Sequence, residues 1–343
     1  NPHQTQRGLR VSDGSRGTDC NRRVVKGGEA MAHKGSRLGS RINNMVYTEI
    51  KEKNGRKYFY RVKSVRNKKK VGKERVYLGV DLYKEKLSKK EKEADKELSL
   101  LSTLITSDEE NKLKKIKEEY LKQPKATEEN RYESFVSLFT YDSTGIEGNT
   151  LTLQETSQLL FEKITPRKSL REINEITNHK EAFDYLLNYK GNLNKKIILK
   201  LHNLVVKNTL KEELIGQIGK YRTLQVYIRG TEWMPPKPLD VPKEMSYLLS
   251  WYTKNKNKLH PLILATYFHS AFETIHPFVD GNGRVGRLLM NFILRQNNYP
   301  MINIPNKGKY KYYNGLEESQ VRGNLRPLIK FLFDLLNDEK IRF

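Results

Sequence analysis

From residue 131 onward, aromatic and aliphatic positions recur at intervals of three and four, the repeat that lays an apolar stripe along an α-helix. Blocks at 131–141, 151–163, 168–188, 194–209, 241–254, 260–275, 284–297 and 326–337 follow it. The pattern predicts an all-α helical bundle over most of the chain. One interruption, Gly219-Lys-Tyr-Arg-Thr-Leu-Gln-Val-Tyr-Ile-Arg-Gly230, alternates with period two and precedes Trp233-Met-Pro-Pro236. It predicts a β-hairpin inserted among the helices. Ahead of the bundle, β-prone runs at 46–50, 57–65 and 76–80 flank an Asn54-Gly55 turn signal and a Lys-rich connector. They predict a small three-stranded β-meander over 46–82. Residues 83–130 turn to Lys, Glu and Leu at helical spacing, a helical linker to the domain spanning 131–343. Residues 1–45 are rich in Gly, Ser and Arg without apolar periodicity, and read as a disordered tail, vector-derived or upstream of the natural start.

Composition narrows the class. Of the 343 residues, 36% are apolar, enough for a packed core. The longest apolar stretches, 262–268 and 288–294, fall well short of the roughly 20 residues that span a bilayer. No membrane partner is expected. The N-terminus lacks an apolar signal region, and the single cysteine, Cys20, excludes an internal disulfide framework. A cytoplasmic location follows as the expectation. The net charge is +24, of which about +15 falls before residue 81. Such a surplus attracts nucleic acid, anionic surfaces or acidic proteins. Tyr58, Phe59 and Tyr60 beside Arg61, Lys63 and Arg66 would give a stacking and phosphate-binding face; the plainer reading is an edge strand guarded by lysines.

The chemistry concentrates in His276-Pro-Phe-Val-Asp280-Gly-Asn-Gly-Arg-Val-Gly-Arg287. A helix over 262–275 stops at His276-Pro277, because proline disfavours a helical residue before it. Gly281 and Gly283 are free to take positive φ, and the stripe Val285, Leu288, Leu289, Phe292, Ile293 restarts a helix. Glycines thus open a helix N-terminus, whose unpaired amides and positive dipole end cradle an anion. Asp280 offers a hard oxygen ligand for Mg²⁺. Arg284 and Arg287, three apart on one side of the helix, can grip phosphates. His276 has the intrinsic pKa of a general base. Nucleotidyl transfer needs this set: positioning, charge neutralisation and one proton transfer.

These residues match without departure His-x-Phe-x-Asp-Gly-Asn-Gly-Arg-x-x-Arg, the signature of the Fic domain family, and the chain resembles that family over 131–337, including Gly219-Lys-Tyr-Arg, Pro235-Pro236 and residues 290–300. The resemblance implies the all-α Fido fold with a flap hairpin over the active-site loop. It implies protein adenylyltransferase activity: AMP moves from Mg-ATP to a Ser, Thr or Tyr hydroxyl of a protein target. His276 would be the base, Asp280 the Mg²⁺ ligand, and Asn282 the residue that positions the α-phosphate. The backbone of Gly281 and Gly283 would cradle phosphates, with Arg284 and Arg287 on the β and γ groups and Phe278 anchoring the loop. Flap residues Thr223, Leu224, Gln225 and Val226 would pair with an extended target segment. Tyr312 and Tyr313 would face adenine.

Upstream, Ser143 and Glu147, with Gly148 and Asn149 following, resemble the family's inhibitory motif, a Ser or Thr four residues before Glu. The resemblance implies that Glu147 pairs with Arg287 and withholds it from the γ-phosphate, an intramolecular brake. Removal of AMP from a modified target, with Glu147 orienting water, is an extension of that reading. Self-modification and a homodimer are compatible with it. The rival class is a basic adaptor or nucleic-acid-binding protein whose Fic site transfers another phosphate-containing group.

Overall fold

A computed structural model describes residues 46–343, apart from 54, 68–69, 101–103, 232 and 340–341; the sequence readings for residues 1–45 lie outside the described residues. The antiparallel meander forms as expected: β1 (Val46–Lys53), β2 (Arg56–Asn67) and β3 (Lys70–Val80), in that spatial order. The Lys-rich segment read as a connector instead continues the ladder, with Val65 opposite Gly72 and Asn67 opposite Lys70. β-structure extends there because the ladder is made by backbone N–H and C=O groups and strand propensity yields to context.

Phe59 and Leu78 bury one face of the sheet against Ala94 of α1 (Lys84–Leu100). On the other, the Tyr60 ring meets Tyr77 at 5.3 Å, and Tyr77 stacks on Tyr247 of α7 (Val241–Asn255) at 6.1 Å. Arg61 reaches Glu91 (3.6 Å) and donates to Thr48 Oγ1 (2.9 Å). Of the expected stacking face, Phe59 is therefore buried and Tyr60 packs on Tyr77 while keeping part of its surface open. The side chains of Lys63 and Arg66 lie outside the described residues.

The second helix of the linker, α2 (Ser107–Leu121), starts at a Thr106–Glu109 capping box. It buries Leu113 and Ile116 in the main core instead of standing in solvent. That core is built on α8 (Pro261–Ile275), which touches α7, α9 (Asn282–Gln296), α10 (Lys309–Arg322) and α11 (Arg326–Asn337). Encirclement explains why α8 is apolar nearly all round: Leu262, Leu264, Ala265, Phe268 and Phe272 have no exposed surface. α3 (Glu128–Ile146), α5 (Leu170–Asn188) and α6 (Lys195–Val206) close the bundle, and short α4 (Leu153–Ser157) lies between α3 and α5. Among the described residues no helix is long and apolar enough to cross a membrane.

Residues 309–313 open α10, whose mostly polar sequence buries only Tyr312, Gly315 and Leu316; so thin a stripe gives little periodic signal. One expectation is corrected. The hairpin at 219–236 does not form a strand ladder among the described residues. Side chains tie its two legs instead. Arg222 donates to the carbonyls of Leu224 (3.1 Å), Pro236 (2.6 Å) and His276 (2.8 Å), and Gln225 Nε2 donates to Pro235 O (3.2 Å). Pro235 and Pro236 bring no N–H to a ladder, so carbonyls there must find other donors. Arg222 is 1% exposed. Each such charge-assisted bond is worth roughly 1.5–3 kcal/mol, and Lys cannot reproduce the planar fork. Arg222→Lys should therefore loosen the loop nearly as much as Arg222→Ala, read as faster amide exchange over 222–236 and a lower Tm.

Candidate active site

α8 ends at His276, which takes the left-handed conformation (φ 49, ψ 62) and turns the chain away from the helix axis. A non-glycine residue held there stores roughly 1–2 kcal/mol of strain. The turn is secured on both sides: His276 N–H donates to Phe272 O (2.9 Å), and Arg222 takes the His276 carbonyl. Phe278 has no exposed surface and lies flat on the His202 ring at 3.8 Å. Its anchoring role is thus visible. His202 in turn accepts the Gly219 N–H (3.0 Å), joining α6, the flap and the loop. Neither His202 nor Arg222 received a site role from the sequence, since both act only across long-range contacts.

Gly281 takes φ 78 and α9 begins at Asn282. The first intrahelical bond runs from Val285 N–H to Gly281 O (3.0 Å), which leaves the amides of Asn282, Gly283 and Arg284 ahead of it. The Asn282 side chain is engaged by the loop backbone. Its Oδ1 accepts Phe278 N–H and its Nδ2 donates to Phe278 O, both at 2.9 Å. The expected phosphate-positioning side chain is a clasp that closes the loop, because two nearby backbone groups satisfy both ends of its amide.

Arg284 and Arg287 are 2% and 1% exposed. Arg284 Nη2 donates to Asp280 Oδ1 (3.0 Å), while its Nε and Nη1 are buried without a partner. Donors sealed in that state favour an anion. Asp280 also accepts the Gly281 N–H (2.6 Å) and stands 3.6 Å from Arg171 of α5. Among the described residues no cluster of three His, Cys, Asp or Glu could hold a metal. A divalent cation at Asp280 would therefore draw its other oxygens from phosphate and water, the habit of Mg²⁺. The residues fit that group.

Arg287 is held at Nε and Nη2 by the end of α3. Its Nε donates to Ser143 Oγ (3.0 Å), and its Nη2 donates to Ser143 O (2.7 Å) and Glu147 Oε1 (2.8 Å). Gly283 sits within the helix, and its value is space: a Cβ there would overlap Glu147 Oε1. Burial works against the Arg287 charge, but Glu147, Tyr312 and Glu273 together outweigh it, raising the pKa above the usual arginine range. The end of α3 is pinned elsewhere too. Asp142 accepts Asn306 N–H (2.8 Å) and Asn303 Nδ2 (2.5 Å), while Tyr313 and Lys309 donate to Ile146 O (3.4 and 3.2 Å).

The His276 side chain keeps 22% exposure. Burial holds its pKa down to about 4, so the ring is neutral at pH 7. Tyr312, expected to face adenine, is 1% exposed, and its hydroxyl meets His269 Nε2 at 2.7 Å. It belongs to the floor of the site. Tyr313 is 43% exposed. Flap residue Thr223 is gripped by Gln217, which donates from Nε2 to Oγ1 (2.9 Å) and accepts the Thr223 N–H at Oε1 (3.2 Å). Leu224 is 51% exposed. Gln225 and Val226 are partly exposed beside it.

The Fic/DOC family pattern matches residues 192–294, which holds the loop and most of α9. The protein adenylyltransferase Fic of Drosophila melanogaster is 38% identical over 199 residues, 57% of this chain and 39% of that protein. Its counterpart in Drosophila grimshawi is 37% identical over the same length, 40% of that protein. The chain spans about two fifths of the length of these curated relatives. A Fic domain containing signaling protein from Bacteroides thetaiotaomicron superposes with a TM-score of 0.61 and 26% identity, over 66% of this chain and 92% of that one. Fic-1 from C. elegans gives 0.59 and 25%, over 75% and 76%. The loop, the helix that follows it and these likenesses agree: the chain carries a domain of the Fic/DOC family.

Proposed function

We propose that the chain transfers AMP from ATP to a protein hydroxyl, and that Glu147 restrains it. The observation that carries this reading is the pairing of a neutral His276 with a buried anion cradle, formed by the first amides of α9 and the two unpartnered donors of Arg284. In the reaction the target oxygen attacks the α-phosphorus, and a new P–O bond forms. The bond to the bridging oxygen breaks, and pyrophosphate leaves. The hydroxyl proton passes to His276, whose Nδ1 faces the Glu273 side and whose Nε2 is the basic atom. Asp280 would hold Mg²⁺, which screens phosphate charge when bound. Arg284 and Arg287 fix the phosphates. In the resting state Ser143 and Glu147 occupy Arg287, so the outer phosphate lacks its partner.

The test is intact mass after incubation with Mg-ATP, self-modification standing in for the target. One adenylyl group should appear strongly on Glu147→Gly, weakly on wild type and not on Glu147→Gly/His276→Ala. A gain of phosphate alone, or no gain where nucleotide still binds, would overturn AMP transfer.

A further inference from the structure

Arg171 is the second residue of α5, in the first turn, where the helix dipole disfavours a cation. Its side chain keeps 57% exposure, yet the guanidinium meets a carboxylate on each of two sides. Nε donates to Glu175 Oε1 (3.1 Å), one turn along the same helix, and Nη2 stands 3.6 Å from Asp280 Oδ2 in the active-site loop. The two oxygens of Asp280 are thereby divided. Oδ1 accepts from Gly281 N–H and Arg284 Nη2, whereas Oδ2 faces Arg171. The last separation is that of an ion pair, not a hydrogen bond. Glu175 is 8% exposed, and its second oxygen, Oε2, accepts from Asn149 Nδ2 at 3.0 Å. Asn149 is pinned in turn: its Nδ2 also donates to Glu172 O (3.0 Å), and its Oδ1 accepts Leu151 N–H (3.1 Å). It lies two residues after Glu147, which holds Arg287. Two hydrogen bonds and one ion pair therefore join the segment that follows α3 to Asp280, through Glu175 and Arg171.

We propose that Arg171 is the resting counter-ion of Asp280, displaced when a divalent cation binds, and that Asn149 keeps it there by occupying Glu175 Oε2. The proposal rests on the reading of Asp280 as the Mg²⁺ ligand. A carboxylate with both oxygens free takes an arginine in the bidentate fork, the stronger arrangement. With Oε2 committed to Asn149, Glu175 grips Arg171 at Nε and leaves Nη2 turned to Asp280. Arg171 and a divalent cation cannot share Oδ2 at close range, because their charges repel. The segment carrying Glu147 thus bears on two parts of the site: on Arg287 directly, and on the metal-facing oxygen through Arg171.

Calorimetric binding of ADP to the full chain, once with Mg²⁺ and once with EDTA, tests this through the ratio of the two affinities. A change in the contacts of the nucleotide itself enters both and cancels. Arg171→Ala should raise the ratio about three- to tenfold, the scale of one partly exposed charge removed from beside the metal. With so much of that side chain in solvent, the variant should fold. Lys168→Ala removes an equal charge from the same segment, but its Nζ is bonded to Thr150 O (3.0 Å), and the ratio should change less than about twofold. Asn149→Ala frees Glu175 to draw Arg171 away, so it should raise the ratio roughly two- to threefold, and no further once Arg171 is Ala. An unchanged ratio in Arg171→Ala, an equal rise in Lys168→Ala, or an Asn149→Ala effect that persists without Arg171 overturns the proposal. Asp280→Ala keeps the two readings apart, since it should abolish the Mg²⁺ gain. If Mg²⁺ strengthens ADP binding there as in wild type, the metal-ligand reading falls and the counter-ion role with it. If the gain disappears there while Arg171→Ala leaves the ratio unchanged, the counter-ion role alone falls.

Discussion

Glu147→Gly should tighten Mg-ATP binding by roughly ten- to a hundredfold while lowering the Tm of the nucleotide-free chain. The two effects share a cause. Arg287 is 1% exposed and takes its charge compensation from Glu147 at 2.8 Å. Removing one partner of a fully buried pair typically costs about 3–5 kcal/mol, because the other charge is stranded. Glu147 keeps 38% exposure, which calls for a discount to about 2 kcal/mol. The expected fall in Tm is about 4 °C. The Ser143 carbonyl still accepts from Arg287 Nη2, so the helix should stay folded. A freed guanidinium then offers phosphate a charge-assisted contact worth roughly 1.5–3 kcal/mol, the source of the affinity range. Mg-ATP should raise the Tm of the variant more than that of wild type, since stabilisation grows with ligand saturation. Titration by calorimetry and thermal melts with and without nucleotide measure both. Equal ATP affinity in the two chains would mean that the Glu147 contact restrains nothing.

His276→Ala, in the Glu147→Gly background, should cut AMP transfer by roughly 10²- to 10⁴-fold, the usual range for a positioned general base, with ATP affinity retained. The pH profile makes the assignment specific. A base works in its unprotonated form, and an ordinary histidine would lose activity as pH falls through about 6.5. Burial holds His276 at about 4, so the acid limb of kcat/KM should lie near pH 4 and the rate should be flat between pH 5 and 7. The stability sign runs the same way. A neutral buried ring gains no proton in the folded state until about pH 4, whereas the unfolded chain protonates near 6.5, so this group destabilises the fold as pH drops across that window. An acid limb at 6.5 would mean that the titrating base is another, more exposed residue.

What the amino-acid order determined is what local rules can carry. The meander and most helices follow from period-two and period-3.6 burial, and the loop is legible because His276, Asp280, Arg284 and Arg287 lie within twelve consecutive residues between two helices. The family pattern supplied what spacing could not, the placement of Ser143 and Glu147 against Arg287. Glu273 left a trace, a lone acid in an apolar helix, but its burial near Arg287, Glu147 and His276 is visible only in the fold. Tertiary structure alone decided the rest. Arg222 replaces a strand ladder with three carbonyl contacts, Asn282 turns inward to Phe278, Tyr312 sinks beneath Arg287, and Gly283 leaves room for Glu147. Each depends on which buried polar group finds a partner across long sequence separations. Buried donors and acceptors must be satisfied by whatever the packing brings near, and that choice belongs to the folded chain.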